Sequence, residues 1–156
     1  MGFRPDRAYR IADERHRIFD GMGAYLNGAR WNSQGRRIIY ASDSFAGAML
    51  EILVRARIGR MPRRHAWIEI QIPAEVSVEE LDAEDLPGWN DKDSAIARNF
   101  GDEWHRQGRS LILVVPSVTA AGIGRNILIS QDHTDFPLLR SSSPLPVVWD
   151  ERLFPS

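Results

Sequence analysis

The sequence contains no cysteine. A disulfide scaffold, a zinc site with thiolate ligands and a cysteine nucleophile are therefore excluded, and a reducing compartment is the natural setting. The 4 histidines show no metal-ligand spacing, and the His-Glu-x-x-His pattern is absent. We therefore expect no metal site, and catalysis would have to depend on other side chains.

Long apolar segments are also lacking. No run approaches the roughly 18–20 residues needed to span a bilayer, and the first residues, charged from Arg4 onward, lack the apolar core of a secretory signal. The length of 156 residues allows one ordinary domain, and 43% hydrophobic with 26% charged residues is typical of a globular protein. We expect a single cytoplasmic domain without membrane contact.

Lysine is nearly absent, because 19 of the 20 basic residues are arginine and the other is Lys92. Residues 1–65 hold 13 arginines against 6 acidic residues, whereas residues 66–156 hold 7 basic against 15 acidic residues. The net charge of −1 argues against a protein that grips many nucleic-acid phosphates. The basic N-terminal half could still bind one small anion, although most of its arginines are expected to be ordinary surface residues.

Hydrophobic periodicity predicts an α+β fold, a single mixed sheet of roughly six strands with two helices. The predicted strands are Ala8–Ile11, Arg37–Ala41, Ala66–Ile72, Leu111–Val115, Asn126–Ser130 and Val147–Trp149. One helix is predicted from Asp43 to Ile58 with Ser42 as its N-cap, and another from Asp93 to about Gln107 with Ile96 facing inward. The glycine-rich segment 21–35 and the acidic segment 75–91 are predicted to be irregular.

Glu51 is the one polar side chain between Phe45 and Val54. The helix around it is apolar nearly all round, which predicts that it is buried. A buried carboxylate is costly unless it is paired or hydrogen-bonded. Glu51 is therefore either a site carboxylate or, with Arg55, the solvent face of an otherwise apolar helix.

Three further residues have side chains suited to chemistry. Arg30 lies in the glycine-flanked polar segment 28–35, where its fork of donors would suit a pyrophosphate, unless it is an exposed turn residue. Tyr40 ends a strand and could stack on a flat heterocycle, or it could be an aromatic residue at the edge of the core. Ser117 follows a buried strand without a Gly-x-Ser-x-Gly elbow, so a hydrolase nucleophile is not expected, and it could instead cap a turn.

The order and spacing of several short segments resemble one known family, over about residues 8–153. The matching segments are Tyr9-Arg10, Gly21–Ala24, Gly28–Gly35, Ile39–Ser42, Ala48–Val54, Ile70–Pro73, Leu86–Trp89, Val114–Ser117, Asn126–Ile129 and His133–Phe136. They resemble the RES domain, which is named for an arginine, a glutamate and a serine. In this sequence these fall on Arg30, Glu51 and Ser117, and the whole chain, 1–156, is interpreted as one such domain.

The resemblance implies a fold similar to that of ADP-ribosyltransferases and a toxin of a bacterial toxin–antitoxin pair of the RES/Xre type. It implies an enzyme that cleaves the nicotinamide–ribose bond of NAD+, with NAD+ as substrate and no cofactor, by hydrolysis or phosphorolysis. Mono-ADP-ribosylation of a protein is the alternative, and a nucleic-acid-binding toxin is a weaker one. The implied partner is a helix-turn-helix antitoxin that blocks the active site, and a homodimer within such a complex is left open.

The resemblance also implies roles for individual residues. Glu51 would stabilise the charge that develops on the ribose or orient the incoming nucleophile, and Arg30 would hold the pyrophosphate or the ribose-side phosphate. Tyr40 would stack on nicotinamide, and Ser117 would bind a ribose hydroxyl or a catalytic side chain. Asn32, Ser33 and Asn126 are the substrate-binding candidates. The chain departs from the family where Ala29 replaces a glycine, where Arg55 replaces a frequent histidine, and in the loop around His133.

Overall fold

The structure, a computed structural model, describes residues 2–56 and 59–155. The strands are β1 (Arg7–Asp13), β2 (Ile38–Ser42), β3 (His65–Gln71), β4 (Val78–Glu80), β5 (Ile112–Pro116), β6 (Arg125–Ser130), β7 (Arg140–Ser141) and β8 (Leu145–Pro146). The α-helices are α1 (Met22–Asn27), α2 (Phe45–Arg55) and α3 (Ala95–Gln107). Short 3-10 turns cover Ala83–Asp85, Phe136–Leu138 and Glu151–Leu153.

All of these strands join one mixed sheet. The strand order is β4-β5-β6-β2-β1-β3-β7, and β8 pairs with β3 beside β7. The β4–β5 pair is parallel and the other pairs are antiparallel. The predicted α+β class with a single mixed sheet is therefore confirmed.

The core has two parts, and central strands contribute to both. One cluster includes Ile39, Ile68 and Ile112, while the other contains Trp31, Trp104 and further residues of β5 and β6. Strand β5 is buried along its whole length, as its continuous apolar run predicts. The alternation predicted for Ala66–Ile72 is also confirmed, because alternate residues from Ala66 onward are buried.

Helix α2 begins and ends differently from the prediction. Ser42 is still paired in β2, and the N-cap is Ser44, whose Oγ accepts a hydrogen bond of 2.9 Å from the Gly47 amide. The helix ends at Arg55, and the predicted end at Ile58 lies outside the described residues. It packs on β1 and β2 with one face, so the expectation of burial on nearly all sides was wrong. Its outward residues include Val54, which is 62% exposed.

Three other segments differ from the sequence expectations. The glycine-rich segment contains the short helix α1, because a run of ordinary helix formers lies between Gly23 and Gly28. The acidic segment contains β4, whose glutamates form ion pairs at the edge of the sheet. Ile96 of α3 is 38% exposed rather than inward.

The last strand is also shifted. Strand β8 forms at Leu145–Pro146 instead of Val147–Trp149, because the chain leaves the sheet after the Val147 amide bonds to the His65 carbonyl at 3.0 Å. Within the described residues, no helix combines the length and the apolar character needed to cross a bilayer.

Candidate active site

The Glu51 carboxylate is held by three side chains. Its Oε1 accepts hydrogen bonds from Ser117 Oγ at 3.1 Å, from Thr119 Oγ1 at 2.8 Å and from Asn126 Nδ2 at 3.1 Å. Among the described residues, no hydrogen bond or ion pair reaches Oε2 of Glu51. One oxygen of the carboxylate is thus fixed, and the other is free to face a ligand.

The donors come from the hairpin formed by β5 and β6. Ser117 follows directly after β5, and its amide donates to the Gly124 carbonyl at 2.9 Å, which closes the loop between the two strands. Asn126 lies opposite Val115 in this hairpin and opposite Ser42 of β2. Because β2 leads into α2, the sheet register brings the hairpin to the carboxylate of Glu51.

Ser42 fixes the orientation of the Asn126 amide. Its hydroxyl donates to Asn126 Oδ1 at 3.2 Å, which leaves the Nδ2 group pointing to Glu51. Ser42 is 2% exposed, so this hydrogen bond is shielded from water. The chain of bonds from Ser42 through Asn126 to Glu51 makes the carboxylate part of a preorganised network.

A small pocket of about 50 Å³ opens in front of this network. Its polar and aromatic lining is Tyr9, Arg10, Tyr40, Ser42, Glu51, Arg55 and Asn126. The two arginines place positive charge beside the Glu51 carboxylate, without a direct ion pair to it among the described residues. Such a pocket can receive a group that carries both positive and negative charge.

Arg10 is a site residue that the sequence reasoning missed. It lies in β1, and its side chain donates to the carbonyls of Ile18 at 2.6 Å and Tyr40 at 2.8 Å. Burial, together with the nearby Arg55 guanidinium, lowers the pKa of Arg10 to about 10. Arg10 lies two positions from both Ala8 and Ala12, and a charged residue on the same strand face as two alanines was the signal that could have revealed it.

Tyr40 lines the pocket with its ring, but its hydroxyl is used inside the protein. The oxygen accepts from the Trp31 amide at 3.0 Å and donates to Asn32 Oδ1 at 2.7 Å. Burial raises the pKa of the Tyr40 phenol above its usual value, and so it stays neutral. The ring is placed to contact a ligand, and its predicted stacking on nicotinamide stays a prediction.

The structure does not bring Asn32 and Ser33 to the Glu51 pocket. Asn32 is fully buried, and its amide group donates to the carbonyls of Ala24 at 3.1 Å and Ser33 at 2.9 Å. Ser33 donates to Asp102 through both its amide, at 2.8 Å, and its hydroxyl, at 2.6 Å. Ser33 therefore holds the 28–35 loop against α3, whereas the Asn32 side chain bonds to Ala24, Ser33 and Tyr40. A substrate contact of either residue stays a prediction.

Arg30 is also turned away from the pocket. Its Nη1 donates to the carbonyl of Asp91 at 3.1 Å, and Arg30 is not among the residues that line the Glu51 pocket. The predicted contact between Arg30 and a pyrophosphate stays a prediction. Ser117 and Asn126, in contrast, both lie at the pocket, where they bond to Glu51 directly.

Thr119 was not foreseen, although it forms the shortest of the three hydrogen bonds to Glu51. Its hydroxyl oxygen also lies 3.0 Å from that of Ser117. The spacing Ser-x-Thr after a buried strand carries no signal by itself, because the turn that aligns the two hydroxyls forms only in the folded loop. In the described part of the chain, no group of three or more carboxylates and histidines is arranged to hold a metal ion.

The chain is similar to several known proteins. It is 34% identical over 137 residues to the "Prs ADP-ribosylating toxin" of Sphingobium sp. (strain YBL2), covering 85% of this chain and 84% of that protein. It is 33% identical over 150 residues to a "Toxin Res" of Yersinia enterocolitica, covering 93% of this chain and 97% of that protein.

The fold is shared with a solved structure. A chain in the crystal structure of the M. tuberculosis MbcT–MbcA toxin–antitoxin complex superimposes with a TM-score of 0.74, covering 91% of this chain and 84% of that chain at 19% sequence identity. At this identity the likeness establishes the fold alone. The RES domain itself matches residues 7–150, nearly the full length. The chain therefore belongs to the RES domain family.

Proposed function

We propose that this protein is the toxin of a toxin–antitoxin pair and that it cleaves the nicotinamide–ribose bond of NAD+. The observation that carries the proposal is the Glu51 carboxylate, held at Oε1 by three donors, with Oε2 free at a pocket that also contains Arg10 and Arg55. Membership of the RES family and two relatives named as toxins support it.

The chemistry matches the residues at the site. As the bond between the ribose C1 and the nicotinamide nitrogen breaks, positive charge develops on the sugar, and the Glu51 carboxylate stabilises it. Nicotinamide leaves with the bonding electron pair as a neutral base, so it needs no general acid. Water adds at C1 and loses a proton to give ADP-ribose, or phosphate adds to give ADP-ribose 1-phosphate.

The toxin role implies an antitoxin partner, and the site's surroundings suit a blocking protein. Leu50 adjoins Glu51 in α2 and is 37% exposed, while Val118 adjoins Ser117 and is 40% exposed. Ile123, in the same loop, is 84% exposed. A helix-turn-helix antitoxin that covers these apolar side chains would also close the pocket. The solved chain that shares this fold comes from a toxin–antitoxin complex, which is consistent with such a pairing.

Transfer of ADP-ribose to a protein is the second candidate. It is favoured by the name of the Sphingobium relative, an ADP-ribosylating toxin. The same pocket would serve, because bond cleavage is common to both reactions and a protein side chain would then take the place of water or phosphate.

The test is to incubate the purified protein with NAD+ labelled in the adenosine moiety, with and without phosphate, and with a bacterial lysate. Free nicotinamide together with labelled ADP-ribose or its 1-phosphate supports degradation. Label bound to a lysate protein supports transfer. Intact NAD+ in every reaction would refute both activities.

A further inference from the structure

A second cavity lies beside the Glu51 pocket. It measures about 460 Å³ and has Arg10, Ile52 and Arg55 in its lining, which also line the Glu51 pocket. The two spaces therefore have walls in common. Arg60 and His65 line the second cavity but not the Glu51 pocket.

The sizes decide which part of a dinucleotide each space can hold. The Glu51 pocket, at about 50 Å³, is too small for more than the reacting end of the substrate. The second cavity lies within the range of roughly 300–1,000 Å³ that is usual for ligand sites. The remainder of the dinucleotide must lie outside the Glu51 pocket, and the second cavity adjoins that pocket at Arg10, Ile52 and Arg55.

The charge of the second cavity is strongly positive. Its lining includes three guanidinium groups and a single carboxylate, that of Asp13. Both oxygens of Asp13 are bound by Arg15, at 2.9 and 2.6 Å, so its charge is already compensated. Among the described residues, no carboxylate lies within ion-pair distance of Arg10, Arg55 or Arg60.

Two further observations concern Arg10 and His65, which line this cavity. Burial, and after it the nearby Arg55 guanidinium, lowers the pKa of Arg10 to about 10, and an anion between the two guanidinium groups would relieve their repulsion. His65 Nδ1 is buried without a hydrogen-bond partner in the described part of the chain. Buried polar atoms without a partner in the protein are uncommon and often bond to a ligand or water.

A third cavity also touches Arg10, but it is a weaker candidate. It shares only Arg10 with the Glu51 pocket, and the Asp20 carboxylate is part of its wall. A negative side chain beside the anion would oppose binding. The cavity with Arg55 and Arg60 is therefore favoured.

We propose that Arg55, Arg60 and His65 form the subsite for the pyrophosphate of the substrate, with Arg10 bridging this subsite and the Glu51 pocket. The assignment differs from the pyrophosphate contact that the sequence predicts for Arg30. It rests on the proposed function for the identity of the ligand as a dinucleotide, while the binding of a nucleotide pyrophosphate can be measured independently of any reaction.

The test uses ADP as the probe, in calorimetric titrations of the wild-type chain, Arg55→Gln, Arg60→Gln and Arg63→Gln. Arg63 is exposed, belongs to the same segment and does not line the cavity, so it controls for the loss of one charge. We expect at least tenfold weaker ADP binding for Arg55→Gln and Arg60→Gln and unchanged binding for Arg63→Gln. In NAD+ turnover, Arg60→Gln should raise KM by a similar factor with little change in kcat.

The outcomes separate this inference from the proposed function. Equal ADP affinity in all four proteins overturns the subsite, even if the wild-type chain cleaves NAD+. Selective loss of ADP binding without any NAD+ turnover supports the subsite and refutes the function. A second titration with inorganic phosphate distinguishes the sources: if phosphate binds as tightly as ADP and displaces it, the cavity is a free-phosphate site and the pyrophosphate assignment fails.

Discussion

Thr119 and Glu51 are joined by a hydrogen bond of 2.8 Å between Oγ1 and Oε1, although 68 residues separate them in the chain. The same oxygen is bonded by Ser117 and Asn126. A carboxylate that is fixed through one oxygen presents the other in a defined direction, and this is the form of preorganisation that stabilises a developing charge.

Replacing Glu51 with Gln should abolish NAD+ loss while the protein stays folded. The amide keeps the size of the side chain but carries no negative charge, and losses on the order of 100-fold or more are usual when such stabilisation is removed. NAD+ consumption should be followed by chromatography, with circular dichroism as the check on folding. Full turnover by a folded variant would remove Glu51 from the mechanism.

Thr119→Val should lower kcat by roughly threefold to tenfold with little change in KM, because one of the three hydrogen bonds that orient Glu51 is lost at a cost of about 1 kcal/mol. Thr119→Ser should restore most of the activity. Thr134, which is exposed and distant in sequence from the site, provides the control variant Thr134→Val. A purely structural role would instead lower the melting temperature and leave kcat per folded molecule unchanged.

Tyr40→Phe should affect stability more than catalysis. Removing the hydroxyl leaves the buried Asn32 Oδ1 and the Trp31 amide without that partner, which should lower the free energy of unfolding by about 1–3 kcal/mol. The ring that lines the pocket is retained, so kcat/KM should stay within a few-fold of wild type. Tyr40→Ala, which removes the ring as well, should lower both the free energy of unfolding and kcat/KM. Urea unfolding and NAD+ kinetics on the same preparations measure the two effects. A large kinetic loss in Tyr40→Phe at unchanged stability would instead assign the hydroxyl to catalysis.

Gly101→Ala should strongly destabilise the fold. A Cβ at this position of α3 would overlap the carbonyl oxygen of Trp31, which is backbone and cannot move aside cheaply. We expect a loss of about 3 kcal/mol or more, typical of severe overpacking. Gly23→Ala in α1 is the matched control, because its Cβ would meet no atom within 4 Å. Thermal melts of both variants make the comparison, and similar melting temperatures would contradict the close approach of α3 to the 28–35 loop.

Sequence reasoning could locate the site but not complete it. Glu51 was detectable because it is a lone carboxylate in an apolar helix, and Ser117 because it follows a buried strand. Arg10 and Thr119 were missed, since the first looks like one of 19 arginines and the second depends on a loop conformation. The position of Ser42 illustrates the same limit: local propensity favours it as an N-cap, whereas pairing with Tyr9 and Asn126 keeps it in the sheet.

The roles of Asn32 and Ser33 could not be predicted because polar residues in a glycine-flanked loop are equally suited to bind a ligand or to hold the loop. The decision depends on Asp102 and Tyr40, which reach the loop only through the packing of α3 and β2. Tertiary contacts of this kind cannot be predicted from the periodicity of the sequence.

The hairpin that holds Glu51 also determines when the candidate site can form during synthesis of the chain. The three donors to the carboxylate lie 66, 68 and 75 residues beyond it. A partly synthesised chain that ends before this hairpin contains the sequence of α2 but none of the three donors that fix the carboxylate. The candidate site is therefore complete only after the hairpin, which ends at Ser130, has been synthesised and has folded onto the sheet.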